Sequence, residues 1–207
     1  IDARLYGVKH TGIGRYVQNL IIELGKIDQQ NEYYIFGGED ILTDTNNYQN
    51  FHFVKLTTKV YSLAEQAVNP LVFQKYHLDI LHVPHFNAPL LYRGKIVITV
   101  HDLIKHLSTG KETTTLPLWQ YSIKKVGYKA VVASNLAKAK SVITPSAYWR
   151  DYLLEHYQLK SNQVHVTYEA VGSKVFSTKR RKEDSDVVEK FQLTKPFVVY
   201  TGNLYPH

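Results

Sequence analysis

Short apolar runs alternate with longer amphipathic stretches along most of the chain. Tyr33 to Phe36, Phe51 to Leu56, Asp79 to Val83, Ile96 to Val100, Ser141 to Thr144 and Val164 to Tyr168 have the length and the β-branched or aromatic content of strands. Ile1 to Leu5 reads as the end of a first strand whose start is cut away. Between these runs the period changes from two to 3.6. A helix is expected from about Gly14 to Lys26, with Tyr16, Val17, Leu20, Ile21 and Leu24 on one apolar stripe. A second is expected from Ser62 to Tyr76, kinked or divided at Pro70. A third, from Leu116 to Lys140, turns Trp119, Ile123, Val126, Ala130, Ala133 and Ala137 to the core. The last is capped by Ser146 and runs to Tyr157.

Strand and helix in alternation predict an α/β fold with a doubly wound, mostly parallel sheet of Rossmann type. Such a domain is complete by residue 175. Residues 176–195 are dense in charge and read as a linker entering a short helix near Val187 to Phe191. Phe197 to Thr201 is one more buried strand, followed by Gly202-Asn203, so residues 196–207 read as the opening of a truncated second domain.

Composition narrows the class. Of the 207 residues 44% are hydrophobic and 21% charged, which are globular values. No apolar run approaches the roughly 20 residues of a membrane-spanning helix. The chain has no cysteine, which excludes a disulfide framework or a thiolate metal site; a cytoplasmic location fits. The net charge of +7 suits anionic partners such as nucleotide phosphates, lipid headgroups or nucleic acid, and equally suits ordinary solubility.

Candidate chemistry gathers where strands end. In open α/β sheets ligands bind outside the carboxyl ends of the strands, and the run Ile96 to Val100 delivers His101 and Asp102 there. The pair suits a general base or the orientation of an acceptor hydroxyl; Asp102 also suits the N-cap of the next turn. His85 and Asn87, after the preceding strand, enter the same crevice as candidate substrate ligands or as a structured loop. Thr11-Gly12-Ile13-Gly14-Arg15-Tyr16 joins strand to helix. Its glycines and helix amino end suit a pyrophosphate, or a tight turn needing positive φ; Val17 stands where a dinucleotide fingerprint has its third glycine. His82, His85, His101 and His106 match no metal-ligand spacing, so no metal is expected. Lys124, Lys125 and Lys129, with Tyr121 and Tyr128, form a basic, aromatic-flanked helix side opposite Trp119, Ile123 and Val126. That side is suited to an anionic membrane surface or to solvent. Ser146 lacks the glycines of a nucleophile elbow and reads as a cap.

In order along the chain, Ile1-Asp2-Ala3-Arg4 with Thr11-Gly-Ile-Gly-Arg-Tyr16, Asp79-Ile-Leu-His82, Val100-His-Asp-Leu103, Ser141-Val-Ile-Thr-Pro-Ser146, Val166-Thr-Tyr-Glu-Ala-Val171 and Val199-Tyr-Thr-Gly-Asn-Leu-Tyr-Pro206 follow a family pattern. The series resembles the amino-terminal half of a retaining family 4 glycosyltransferase of GT-B architecture. The resemblance implies a nucleotide-sugar donor, held mainly by a carboxy-terminal domain, and a glycan or lipid-linked acceptor held by this one. Gly12, Gly14 and Gly202 would approach the donor diphosphate, His101 would lie at the reacting centre, and Asp102 would orient the acceptor or its loop. No cofactor beyond the donor substrate and no nucleic acid are implied; bacterial polysaccharide assembly, at the inner face of a membrane, fits the family. The family's donor domain is outside these 207 residues, so the chain alone is expected to fold without transferring sugar. Two other readings remain: a dinucleotide-dependent oxidoreductase domain, and a non-catalytic basic module binding membrane or nucleic acid.

Overall fold

The structure, a computed structural model, describes residues 1–104, 117–170, 172, 188–194, 196–198 and 200. The chain divides into two compact units, 1–169 and 170–207.

Among the described residues of the first unit six strands are observed: β1 (Tyr33–Gly37), β2 (Phe51–Lys55), β3 (Leu81–Val83), β4 (Ile96–Thr99), β5 (Ser141–Thr144) and β6 (Val164–Val166). Every pairing is parallel: β1 with β2, then β3-β4-β5-β6 in order. The amino-terminal residues join the two ladders. Asp2 N–H donates to His82 O at 2.9 Å on β3, and Ala3 N–H donates to Phe36 O at 2.7 Å on β1. With this segment counted first, the spatial order becomes 3-2-1-4-5-6-7, which is the Rossmann arrangement extended by one strand. The order reverses between the amino-terminal segment and β3, so the glycine loop and the loop after β3 flank the switch point.

The helices are α1 (Thr11–Ile27), α2 (Leu42–Thr45), α3 (Leu63–Lys75), α4 (Leu118–Lys138) and α5 (Ala147–Tyr157). α1 begins three residues before the expected start and buries Gly14, Val17, Ile21 and Gly25. Glycine is required at both ends of that stripe. A Cβ on Gly14 would stand 2.0 Å from Gly7 O, and one on Gly25 would meet the Tyr48 ring at 2.4 Å. α3 continues through Pro70 as one helix, so of the kink or division that Pro70 suggests the division does not occur. Ser62 and Ser146 cap α3 and α5 by accepting the N–H of Glu65 and Trp149.

The core lies on both faces of the sheet. Val17, Ile21, Ile35 and Ile41 fill one cluster, while Phe36, Phe73, Leu81, Ile98, Leu136 and Leu153 anchor the larger. The orientation of α4 corrects the expectation. Ile123 and Val126 are 65% and 69% exposed, whereas Tyr128, Val132, Leu136 and Ala139 pack on the core. Two 3.6-period stripes compete on this helix. The one carrying larger side chains at the carboxy-terminal end is buried, because only that half of α4 lies over the sheet.

In the second unit residues 188–190 form a helical turn near the expected short helix, and residues 197, 198 and 200 are not in a strand. Most of the expected linker, the rest of the strand and Gly202 lie outside the described residues.

Candidate functional site

All strands run parallel, so their carboxyl ends share one edge, and the chain brings several chemistry-bearing loops there. β4 delivers His101, β3 delivers Pro84 to Asn87, and β6 delivers Glu169. The His101 side chain is only 11% exposed. Its Nε2 lies 3.2 Å from Pro84 O and its Nδ1 3.1 Å from Glu169 Oε1. A carbonyl and a carboxylate both accept, so the two contacts are hydrogen bonds together only when the ring carries both protons. Tyr16 packs edge-on against the ring at 4.7 Å. This contact ties His101 to α1, one turn beyond Gly12.

α1 is preceded directly by a 3-10 turn over Val8–His10, whose Val8 O accepts Thr11 N–H. His10, at its N-cap position, makes no side-chain cap bond, and a Cβ on Gly12 would meet nothing within 4 Å. With Thr11 N–H taken by Val8 O, the positive end of the helix dipole lies at the Gly12 turn, one turn before the Tyr16 contact with His101. Gly12 and Gly14 differ in role: the first leaves open space, the second lets the helix close on the Leu5–Gly7 backbone. Gly7, at φ 85°, makes the turn that permits this approach.

Asp102 is exposed, and its Oδ1 accepts Ile104 N–H at 3.1 Å, the bond of a capping turn. His85 and Asn87 are buried. His85 Nδ1 accepts Asn87 N–H at 3.2 Å, Asn87 Nδ2 donates to Glu65 Oε2 at 2.8 Å, and His85 Nε2 lies 2.9 Å from Tyr61 Oη. Asn135 of α4 fastens the same loop, donating to Phe86 O and Ala88 O at 3.0 Å each. Beneath them Arg4 bridges Asp2 and Glu65 at 2.6 Å each, all three side chains almost wholly buried. Neither carboxylate would be tolerated there without its arginine. His82 donates to or accepts from Thr99 Oγ1 at 2.9 Å, and burial pushes its pKa down to about 4. It stays neutral and structural.

A groove of about 780 Å³ lies alongside, lined by Tyr61, Leu63, Phe86, Asn87, Lys124 and Tyr128 among others. Lys124 and Lys125 reach its wall, whereas Lys129 is exposed and does not line it. Tyr128, expected beside the lysines on an outer face, packs edge-on against Phe86 at 5.2 Å.

The Glycosyltransferase Family 4 profile matches residues 10–172. The chain belongs to glycosyltransferase family 4. A structural neighbour of this family-4 domain is "Crystal Structure of Glycosyltransferase from Rickettsia africae ESF-5", with a TM-score of 0.52 and 16% identity. The match covers 95% of this chain and 49% of that one, so the chain spans about half the length of its structural neighbour. At that identity the likeness speaks for the fold, a Rossmann-like α/β domain. No curated protein matches the chain.

Residue-by-residue reading missed four members of the site. Glu169 carries no local signal beyond its place in the Val166–Val171 segment, and Tyr16 reads as one more residue of the helix stripe. Tyr61 and Glu65 carried one local signal, the Ser62-x-x-Glu65 spacing of a capping box. Here the box is displaced: the Glu65 carboxylate accepts Tyr61 N–H instead of the N-cap N–H.

Proposed function

We infer that this chain is the acceptor-side half of a retaining GT-B glycosyltransferase that takes sugar from a nucleotide-sugar donor. The observation that carries the reading is the Tyr16–His101 contact, which brings the early turns of α1 against a histidine at the carboxyl edge of the sheet. The amino end of α1 stabilises the negative charge that grows on a leaving diphosphate, with Gly12 as the residue the phosphate approaches and Gly14, expected beside it, closing the helix on its loop instead. His101 sits beside it. With Nε2 committed to Pro84 O, Nδ1 is the ring atom that meets substrate, and Glu169 holds that place until substrate takes it. Asp102 fixes the turn that follows, and His85 and Asn87 shape the acceptor side. Gly202 belongs to the donor side.

The acceptor is a glycan or a lipid-linked glycan, and the chemistry needs no metal. Lys124, Lys125 and Lys129, beside exposed Ile123, Val126 and Leu63, suit an anionic membrane surface. Such a surface fits a protein that sits peripherally on the cytoplasmic face of a membrane. Among the described residues no helix is long and apolar enough to cross a membrane.

The test is a transfer assay with UDP- and GDP-sugars on the 207-residue chain and on the full-length gene product. Transfer by the longer protein alone, with the anomeric configuration kept in the product, supports the reading. Turnover by the short chain at a comparable rate, or a product of inverted configuration, overturns it.

A further inference from the structure

Tyr61 has a backbone φ of 65°, a left-handed conformation that a tyrosine adopts only under restraint. Such residues persist where the surroundings over-determine them, and they gather at functional sites. The restraint is visible. Tyr61 N–H donates to Glu65 Oε2 at 2.7 Å, and Glu65 Oε1 is gripped by Arg4 at 2.6 Å. Ser62 accepts Glu65 N–H at 3.1 Å and donates to Lys59 O at 2.6 Å, which fixes the turn on its other side.

This turn lays the Tyr61 ring, 60% exposed, along the groove. Its hydroxyl is aimed as well. His85 Nδ1 accepts the Asn87 N–H, so the ring proton sits on Nε2 and is donated to Tyr61 Oη. The phenol's own proton then has to point away from His85. Burial, with the charges of Glu65 and Asp102, raises the pKa of the phenol, so that proton is retained at neutral pH.

We propose that Tyr61 is the residue that fixes the acceptor: its O–H, aimed by His85, donates to an oxygen of an amphiphilic polyol whose apolar part lies against Leu63, Phe86 and Tyr128. The groove volume falls in the range that accommodates small organic ligands, and its wall supplies aromatic faces and a rim lysine, Lys124. His85 and Asn87 then act through Tyr61 and are positioning residues.

The proposal rests on the acceptor-side reading above, but its test needs neither donor nor turnover. Octyl β-D-glucopyranoside, kept below its micelle concentration, is titrated into the 207-residue chain and followed by saturation-transfer NMR and calorimetry. The wild type is expected to bind. Tyr61→Phe should bind roughly tenfold more weakly, the loss of one hydrogen bond to the ligand, at an unchanged melting temperature. Glu65→Gln should weaken binding and lower the melting temperature together. Equal affinity of wild type and Tyr61→Phe, or no binding by the wild type, overturns the proposal. A failed sugar-transfer assay would leave this titration unaffected, so the two readings fail separately.

Discussion

The loops after β3 and β4 each carry a histidine to the same sheet edge, and the two histidines are built for different tasks. His85 receives a backbone N–H on Nδ1, which fixes it as a neutral ring with one outward proton. His101 faces two acceptors, Pro84 O and Glu169, and satisfies both only as a cation. The loop of His85 is clamped from below by Glu65 and from the side by Asn135. The loop of His101 is held by ring contacts and by a half-exposed carboxylate. Side chains saturated by buried partners hold a loop in place. Partners at the rim are the ones that the proposed function lets substrate displace.

The clamp is where the difference breaks most violently. Glu65→Ala takes one of the two buried carboxylates from Arg4 and removes the partners of Tyr61 N–H and Asn87 Nδ2. A loss of about 3–5 kcal/mol of folding stability is expected, as for other broken buried ion pairs. Urea unfolding measures it, and a loss below about 1 kcal/mol would show that the network is not what holds the β3 loop.

His82, on β3 itself, sharpens the contrast through pH. Its pKa is about 4 when folded, against 6.5 when free, so the unfolded chain binds the extra proton first. Stability from this group is complete above pH 6.5 and is lost as pH falls from 6.5 to 4, a change of about 3 kcal/mol at most. Melting of wild type and His82→Gln across that window should converge as the pH drops. Parallel curves would mean that His82 does not contribute.

On the His101 side the expected effects fall on rate. Glu169→Gln keeps an acceptor for Nδ1 but weakens the bond that substrate has to displace, so turnover of the full-length protein at low substrate should rise severalfold with little change in melting, since charge-assisted bonds are about twice as strong as neutral ones. The smallest effect is reserved for Asp102. Asn retains the oxygen that accepts Ile104 N–H, so Asp102→Asn should stay within about 0.5 kcal/mol of wild-type stability, with Asp102→Ala costing about 1 kcal/mol. Loss of turnover in Asp102→Asn without loss of stability would assign the carboxylate to the chemistry and not to the cap.

The legibility of the sequence followed the range of the interactions. Parallel strands, the chain's α/β alternation, Ser146 as a cap and the strand-end position of His101 all follow from local pattern, because period and capping are local physics. The face of α4 was not legible: Ile123–Val126 and Tyr128–Val132–Leu136 are both valid 3.6-period stripes, and only the position of the sheet chooses between them. Arg4–Glu65 spans 61 residues and His101–Glu169 spans 68. Neither spacing leaves any trace in composition or period. Gly12 and Gly14 look equivalent as letters, yet one leaves open space and the other seals a helix against a loop.

The most direct test of the division of labour is to compare His101→Ala with His85→Ala in the full-length protein, measuring kcat, acceptor KM and melting temperature together. His101→Ala should lower kcat about 100-fold, the scale of one lost transition-state contact, with the melting temperature nearly unchanged. His85→Ala should act mainly on melting temperature and acceptor KM. A kcat loss greater for His85→Ala than for His101→Ala would contradict the account.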